Sequence, residues 1–332
     1  MRKVAVVTGC AGLLGTHFSR YLLDKGWKVV GIDDLSGGYS SFLPDNKSFR
    51  FFQFDTTEKV YVDYVFKKYR PSVCYHFGAY AAEGLSPFIR SYNYTNNILA
   101  SVPIINNCIT HDVKLVFTSS MAVYGNQETP FHESMTPQPI DPYGIAKYAV
   151  EMDIAAAGVQ HGLRYNIVRP HNVLGIYQNI WDKYRNVIGI FIRRAINNQP
   201  LLVYGDGEQT RAFSDIQYYM KPFHMLRRDT YNGEIFNLGA DQEYRLIDVA
   251  NMVKSVANMY FIDAKIKHVE PRHEVKNAYC DHSKAKFLLN FEDKTDLKDL
   301  ICRMFTWAMS EPERSVKKFK YEVKKGIYEY WK

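Results

Sequence analysis

The chain has 332 residues, 46% of them hydrophobic and 23% charged, which is enough for about two domains with buried cores. Its net charge of +7 permits an anionic ligand, but the absence of aromatic or arginine-rich recognition motifs argues against nucleic-acid binding. The N-terminal apolar run is too short for a signal peptide and no stretch has the roughly 18 apolar residues of a membrane span, so we expect a cytoplasmic location without membrane contact.

The first half of the chain alternates short β-branched runs with helical patterns. The predicted strands are Lys3–Thr8, Lys28–Ile32, Phe49–Phe54, Val73–Phe77, Lys114–Ser119 and Arg164–Arg169. The predicted helices between them are Leu13–Lys25, Glu58–Lys68, Ser91–Thr110 and Tyr143–His161. Continuous apolar strands separated by helices indicate a parallel sheet covered on both faces, which is a doubly wound α/β domain of Rossmann type.

After about residue 172 this alternation loosens. The predicted elements are a helix at Val187–Asn198, strands at Leu201–Tyr204 and Ile235–Leu238, and two or three further helices, the last with Lys317–Lys325 as a solvated face. We therefore expect a smaller second α/β domain, with a ligand in the cleft between the two.

A glycine-rich turn, TGCAGLLG, follows the first predicted strand. Gly9, Gly12 and Gly15 lie in this turn and the first helical residues, where they allow backbone amides to approach a pyrophosphate. Asp33 ends the second strand, and a carboxylate there accepts hydrogen bonds from the adenosine ribose and repels a 2′-phosphate. The pattern predicts a dinucleotide site that favours NAD over NADP.

Other predicted cofactor residues lie at the start of the first helix, at strand ends, and near the start of the helix predicted at Ser91–Thr110. They are Leu13, Leu14, Asp34, Asp55, Phe77, Gly78, Asn93 and Ser119. Asp34 and Asp55 could equally cap their strands. The predicted NAD-binding domain contains residues 1–172 and about 212–245, and the second domain about 173–211 and 246–332.

Tyr143 and Lys147, in DPYGIAK, are one helical turn apart. At an effective dielectric constant of about 20, an ammonium about 4 Å from a phenol favours the phenolate by roughly 4 kcal/mol. This lowers the pKa of the phenol by some three units. We therefore predict that Tyr143 has a lowered pKa and takes a hydroxyl proton while hydride leaves for the cofactor. The same spacing occurs in four other pairs, at Tyr21/Lys25, Tyr64/Lys68, Tyr321/Lys325 and Tyr328/Lys332.

The surroundings of Tyr143 distinguish it from those pairs. A proline precedes it, a glycine follows it, and two hydroxyl residues lie upstream at a strand's carboxyl end, where ligands of α/β domains bind. Ser120 is the predicted proton relay to the substrate hydroxyl and Ser119 is the alternative. Both serines could instead cap the strand.

Four motifs occur in order along the chain: TGxxGxxG, SSxxVYG, PYGxxK and VRPxN. As a set they resemble those of the extended short-chain dehydrogenase/reductases, specifically the NAD-dependent nucleotide-sugar epimerases and dehydratases, with UDP-glucose and UDP-N-acetylglucosamine 4-epimerases closest. The resemblance covers essentially the whole chain. It implies tightly bound NAD, catalysis by Tyr143, Lys147 and Ser120, a 4-keto sugar intermediate, and a homodimer formed by helices 91–110 and 143–161.

The same resemblance assigns residues to the substrate. Asn172 is placed at the nucleotide diphosphate, Arg211 and Arg272 at the phosphates, and Tyr204 beside them. Guanidinium groups suit phosphates because they bind in a bidentate way. A residue that walls the C2 substituent of the sugar corresponds to Ala278, which would admit an N-acetyl group, or to Tyr279, which would not; we favour Ala278.

The choice of reaction depends on the residues directly after Ser120. Dehydratases and decarboxylases of this family carry acidic residues there, whereas this chain has Met121 and Ala122. The resemblance therefore implies 4-epimerisation of a UDP-sugar. The alternatives are a 4,6-dehydratase with an unusual base, a 4-ketosugar reductase, a uronate epimerase, or a non-catalytic NAD-binding relative. The segments HFGAYAAEGLSP, NYTNN and Arg211–Phe213 depart from the family pattern.

The five cysteines are scattered, and neither a C-x-x-C nor an H-E-x-x-H motif occurs. We therefore expect reduced thiols and no metal site.

Overall fold

The computed structural model describes residues 3–272 and 274–331. Its strands are β1 (Val4–Thr8), β2 (Lys28–Asp33), β3 (Phe49–Gln53), β4 (Val73–His76), β5 (Lys114–Thr118), β6 (Tyr165–Pro170), β7 (Val173–Leu174), β8 (Leu201–Tyr204), β9 (Thr210–Ala212), β10 (Ser214–Asp215), β11 (Ile235–Leu238), β12 (Glu243–Arg245), β13 (Ile266–Val269) and β14 (Asn277–Ala278). Its α-helices are α1 (Leu13–Asp24), α2 (Lys59–Tyr69), α3 (Arg90–Tyr94), α4 (Val102–Thr110), α5 (Pro142–His161), α6 (Val187–Ile196), α7 (Met220–Met225), α8 (Leu246–Met259), α9 (Ser283–Leu289) and α10 (Leu297–Ser310).

Seven parallel strands form the central sheet in the order β11-β6-β5-β4-β1-β2-β3. Its middle strands β1, β4 and β5 are buried along their whole length, because helices cover both faces of the sheet. Helices α1, α7 and α9 pack on one face and α2, α4 and α5 on the other. The predicted doubly wound Rossmann-type sheet is confirmed, and the chain returns to this sheet at β11.

A separate hydrophobic core lies beyond this sheet. Helices α6, α8 and α10 pack around β8, and their buried faces are aliphatic and aromatic. Three small sheets, β10-β7, β12-β9-β14 and β13-β8, connect this part of the chain to the edge of the central sheet. Among the described residues, no helix combines the length and apolar character needed to cross a membrane.

Two sequence predictions of helices need correction. The segment predicted as one helix at Ser91–Thr110 is interrupted by a π-helical turn at Thr95–Leu99. The predicted C-terminal helix is wrong: residues 312–328 contain no helix, and only a short 3-10 turn follows at Glu329–Trp331. Phe319 and Tyr321 are two residues apart, so an extended chain turns both rings to the same side. These rings pack against a buried aromatic cluster that includes Phe88.

A buried ion pair supports the sheet behind the carboxyl end of β5. Arg169 and Glu151 are 2% and 3% exposed, and Arg169 Nε donates to Glu151 Oε1 at 2.9 Å. Arg169 also donates to the Tyr124 hydroxyl at 2.9 Å, and Glu151 accepts a hydrogen bond from Ser119. Because each charge lies away from water, removal of one partner leaves the other uncompensated.

Replacement of Glu151 by alanine should therefore lower the free energy of unfolding by about 3–5 kcal/mol. Chemical denaturation of purified protein measures this loss. The matched control is Glu292→Ala, which breaks an exposed pair with Lys294 and should change stability by about 1 kcal/mol or less. A loss at Glu151 no larger than that of the control would contradict the assigned role of the pair.

Candidate functional site

A cleft of about 470 Å³ opens at the carboxyl ends of the central strands, where parallel α/β sheets bind ligands. Its walls come from the sheet on one side and from the second core on the other. Of the residues predicted to bind cofactor or substrate, those that line it are Gly9, Gly12, Leu13, Leu14, Gly15, Asp33, Asp34, Asp55, Phe77, Gly78, Ser119, Ser120, Tyr143, Lys147, Asn172, Tyr204, Arg211 and Arg272. Tertiary structure thus brings chain positions from 9 to 272 to one cavity.

The glycine turn fits a dinucleotide because its backbone leaves no room for side chains. A Cβ on Gly9 would lie 2.8 Å from the Gly78 nitrogen, and one on Gly15 would lie 2.1 Å from the Gly9 oxygen. Gly9 also has a positive φ of 64°. Helix α1 begins directly afterwards with no side-chain cap, so its first amides are available to a pyrophosphate.

Asp33 ends β2 at the cavity wall. Its carboxylate accepts hydrogen bonds from the backbone amides of Ala11 at 2.9 Å and Leu35 at 2.8 Å. Burial nevertheless raises the pKa of Asp33 to about 6. Asp34 and Asp55 line the cavity and also accept local hydrogen bonds, from Ser36 and Thr57 respectively, so both of their predicted roles are compatible with the structure.

Tyr143 lies in the first turn of α5. Pro142 starts this helix, and the Asp141 carboxylate caps it by accepting from the amides of Tyr143 at 2.9 Å and Gly144 at 3.0 Å. The phenol is thereby held 6% exposed at the base of the cleft. Local helix-start chemistry explains why the motif carries Asp-Pro before the tyrosine.

The charge state of this pair differs from the sequence prediction. Lys147 Nζ donates to the Thr118 carbonyl at 2.9 Å and lies 5.9 Å from the centre of the Tyr143 ring. Burial lowers the pKa of Lys147 to about 7 and raises the pKa of Tyr143 above its ordinary value. The predicted lowering of the Tyr143 pKa is therefore not found here, because desolvation disfavours both charged forms.

The two neighbouring serines are distinguished by their partners. Ser119 is 2% exposed and its hydroxyl donates to Glu151, within the buried ion pair. Ser120 interacts with the Tyr143 phenol, and this hydrogen bond favours the phenolate. Its Oγ also accepts from the Ala122 amide at 3.1 Å. This arrangement supports Ser120 rather than Ser119 as the hydroxyl beside a substrate.

Cationic groups lie on the wall formed by the second core. Arg211 and Arg272 both contact Glu274, at 2.9 Å and 3.5 Å between charged atoms. The Arg272 guanidinium also lies 4.2 Å from the centre of the Tyr204 ring. Asn172 also lines the cavity and donates to the carbonyl of Ala212, the residue after Arg211 in β9, at 3.0 Å.

Two predicted site residues lie outside the cavity lining. Asn93 is buried and donates to the Pro142 carbonyl at 2.8 Å, while Asn96 lines the cavity. Ala278 is buried against an apolar cluster that includes Met121, and its rival Tyr279 is also absent from the lining.

The cavity also contains functional candidates that sequence reasoning missed. Glu83, Lys183, Arg185, Tyr330 and Trp331 all line it. Glu83 is exposed to the cleft, and desolvation by the surrounding residues together with the nearby Asp141 charge raises its pKa to about 7. Its negative charge disfavours the Tyr143 phenolate and so contributes to the raised pKa of Tyr143. The sequence did contain a signal for Glu83, because it is the acidic residue of HFGAYAAEGLSP. This segment follows β4 and departs from the family pattern.

Comparison with known proteins is consistent with this geometry. The sequence model of the NAD dependent epimerase/dehydratase family matches residues 5–239. The UDP-glucose 4-epimerase of Halalkalibacterium halodurans is 27% identical, over 92% of this chain and 96% of that protein. The UDP-glucuronate 4-epimerase of Thermodesulfobacterium geofontis is also 27% identical, over 93% and 97%. The UDP-glucose 4-epimerase of Thermus thermophilus in complex with NAD superposes with a TM-score of 0.84 at 25% identity, over 92% of this chain and 99% of that one.

Protonation of Asp33 should weaken discrimination against NADP. Above a pH of about 6 the Asp33 carboxylate is charged and repels a 2′-phosphate; below it the repulsion is lost. The preference for NAD over NADP should therefore fall about tenfold, or about 1.4 kcal/mol, between pH 8 and pH 5. Calorimetric titration of cofactor-free protein with each dinucleotide measures this.

The control for this titration is Asp33→Asn. A phosphate monoester itself titrates near pH 6, and the variant reports that contribution alone. An equal pH dependence in wild type and Asp33→Asn would contradict the role of the carboxylate.

Proposed function

Because the chain belongs to the NAD-dependent epimerase/dehydratase family, we propose that it inverts the C4 configuration of a UDP-sugar through a transient 4-keto intermediate. The substrates we propose are UDP-glucose and UDP-galactose or their N-acetyl forms. The observation that carries the proposal is the meeting of Tyr143, Lys147 and Ser120 at the base of a cleft that also contains the glycine turn and two arginines. No side chain beyond Tyr, Lys and a hydroxyl is required for simple epimerisation.

The proton moves between the sugar hydroxyl and Tyr143. When bound, NAD supplies the acceptor and donor of hydride and a positive charge near the phenol. The Tyr143 phenol must become anionic to take the proton, and burial opposes this. Lys147 in its charged form and the hydrogen bond from Ser120 act in the favourable direction. The Thr118 carbonyl holds the Lys147 amine beside the phenol while it does so.

The arginines are suited to holding the nucleotide diphosphate. Arg211 and Arg272 converge on Glu274, so the cleft already places two guanidinium groups around one anionic centre. A diphosphate would exchange with Glu274 for the same donors, and its greater charge and bidentate geometry favour that exchange. The sugar would then lie between the arginines and Tyr143.

The direct test is NMR of the purified protein with UDP-N-acetylglucosamine and, separately, with UDP-glucose, without added reductant. We expect the C4 epimer at unchanged mass. The preferred sugar must be read from this experiment because neither Ala278 nor Tyr279 lines the cavity. Binding of NAD without conversion of either sugar would contradict the proposed reaction.

Tyr143→Phe should reduce the rate of epimerisation by about 10²–10⁴-fold, because only the proton-transferring hydroxyl is removed. The matched control is Tyr64→Phe. Tyr64 has the same spacing to Lys68, and its hydroxyl lies 2.5 Å from that amine, but the pair is on the exposed surface of α2. Equal activity of the two variants would exclude Tyr143 as the proton acceptor.

Glu83 supports a second candidate function, 4,6-dehydration. It is a carboxyl group close to Tyr143 with a pKa of about 7, which suits proton transfer in either direction near neutral pH. It could supply the acid–base group that Met121 and Ala122 lack. A product lighter by one water, and its loss in Glu83→Gln, would establish this function in place of epimerisation.

Under the epimerase proposal, Glu83 should instead disfavour a uronic acid, because its charge would face the carboxylate of the sugar. Glu83→Gln should raise kcat/KM for UDP-glucuronate relative to UDP-glucose by about tenfold. The exposed Glu128, outside the cavity lining, provides the control Glu128→Gln. An unchanged ratio in Glu83→Gln would show that Glu83 does not face the sugar.

We also propose a homodimer that uses α4, α5 and the π-helical turn before α4. Large apolar side chains are exposed there, and they are Leu99, Val102, Ile145, Met152 and Val159. Burial of such a patch in a subunit interface would remove apolar surface from water. Light scattering should give twice the chain mass of 38.5 kDa, and Met152→Glu should shift the measured mass to that of the monomer.

The cytoplasmic location expected from the sequence stays a prediction.

A further inference from the structure

Three potential metal ligands meet in a buried cluster beside the cleft. His171 follows β6, while Cys280 and His282 follow β14, and all three side chains are at most 2% exposed. The nearest donor atoms of the three lie within 4.8 Å of one another. We infer that His171, Cys280 and His282 form a binding site for one transition-metal ion of the class that prefers nitrogen and sulfur, Zn²⁺ or Cu⁺.

The two imidazole rings face each other through the atoms that bind metals. His171 Nε2 and His282 Nε2 are 2.9 Å apart, and the rings are nearly parallel. On the far side of its ring, His282 Nδ1 lies 2.9 Å from Asp241 Oδ1. The carboxylate can only accept, so the proton of a neutral His282 is at Nδ1 and its Nε2 lone pair points to His171.

The hydrogen-bond partners of His171 differ from those of His282. The Ala212 carbonyl lies near the His171 ring, and a carbonyl can only accept a hydrogen bond. Among the described residues, no group meets ordinary hydrogen-bond geometry at His171 Nδ1, so neither a proton nor a lone pair there has a partner. Without a metal ion, a proton on His171 Nε2 satisfies the contact as a hydrogen bond to the His282 Nε2 lone pair. A metal ion can replace that proton once the His171 proton moves to Nδ1, on the other side of the ring.

Cys280 distinguishes a metal ion from a shared proton. Two imidazoles could share a proton without help, but the thiol of Cys280 completes a set of two nitrogen donors and one sulfur donor. Zinc–nitrogen and zinc–sulfur bonds are about 2.0–2.1 Å and 2.3 Å, which places the donors roughly 3.3–3.6 Å apart. Small side-chain movements reach these distances. Binding would displace the Cys280 proton to solvent, since the thiolate is the ligand.

Gly239 and Asp241 position the two imidazole rings. A Cβ on Gly239 would lie 1.7 Å from His171 Nε2, so only glycine leaves room for the ring at this position. The side chain of Asp241, which orients His282, is 56% exposed, so solvent reaches the edge of the cluster at this residue. The Asp241–His282 contact is the carboxylate–histidine arrangement that commonly supports a metal ligand.

A bound ion would join two parts of the chain that border the cleft. His171 is adjacent to Asn172, which lines the cavity. Cys280 lies two residues after Ala278, and Ala278 in β14 pairs with Arg211 in β9. The ion would fix the end of β6 to the segment after β14. We therefore expect it to stabilise the fold, and this role does not depend on the proposed epimerase reaction.

The test is elemental analysis by mass spectrometry of full-length protein purified without chelators or metal-affinity resin. We expect about one Zn or Cu per chain in the wild type, and the element found decides between the two ions. Cys280→Ala should lose at least nine-tenths of the metal. Cys108→Ala, which removes a buried thiol from a different core, should retain it.

A second measurement needs no variant. Replacement of the ion by Co²⁺ in the wild type should give a thiolate-to-cobalt absorption band, and a strong chelator should lower the thermal unfolding midpoint. The inference would be overturned if the wild type contains no metal and binds neither Zn²⁺ nor Cu⁺ after dialysis. Full retention of metal in a folded Cys280→Ala variant would equally overturn it.

Discussion

The close approach of the backbone at the end of β1 is the constraint that organises the whole site. Gly9, Gly15 and Gly78 come so near one another that a methyl group at either of the first two would collide with backbone atoms. This contact brings the start of α1 to the ends of β1 and β4. Parallel strands then deliver their carboxyl ends to the same edge, so that Asp33, Ser120 and the glycine turn share one cavity.

Burial controls the chemistry of that cavity as strongly as the contacts between charges do. Desolvation works against the charged forms of Asp33, Glu83, Tyr143 and Lys147. The pKa values of Glu83 and Lys147 thereby both come to about 7. Groups that change charge near neutral pH can gain and lose protons readily, which suits the proton transfer proposed for this site.

The second core shapes the other wall of the cavity, and the C-terminal segment completes the lining. Tyr330 and Trp331 line the cavity, and Tyr330 stacks on Tyr204 with 4.8 Å between ring centres. The aromatic rings of residues 319–331 pack against the cluster around Phe88 in place of the predicted lysine-rich helix. The end of the chain therefore contributes directly to the site, although its composition alone suggested a solvated surface.

The parallel sheet, the glycine turn, Asp33 and the tyrosine–lysine motif could all be predicted from the sequence, because each depends on short-range periodicity or on a fixed spacing. The charge state of Tyr143, the separation of Ser119 from Ser120 and the position of Glu83 could not. Those depend on burial and on partners such as Glu151, which is distant in the chain from Ser119. The meeting of His171 with Cys280 and His282 was equally invisible to a search for local motifs. More than a hundred residues separate them, and only tertiary packing decides which distant side chains share one low-dielectric space.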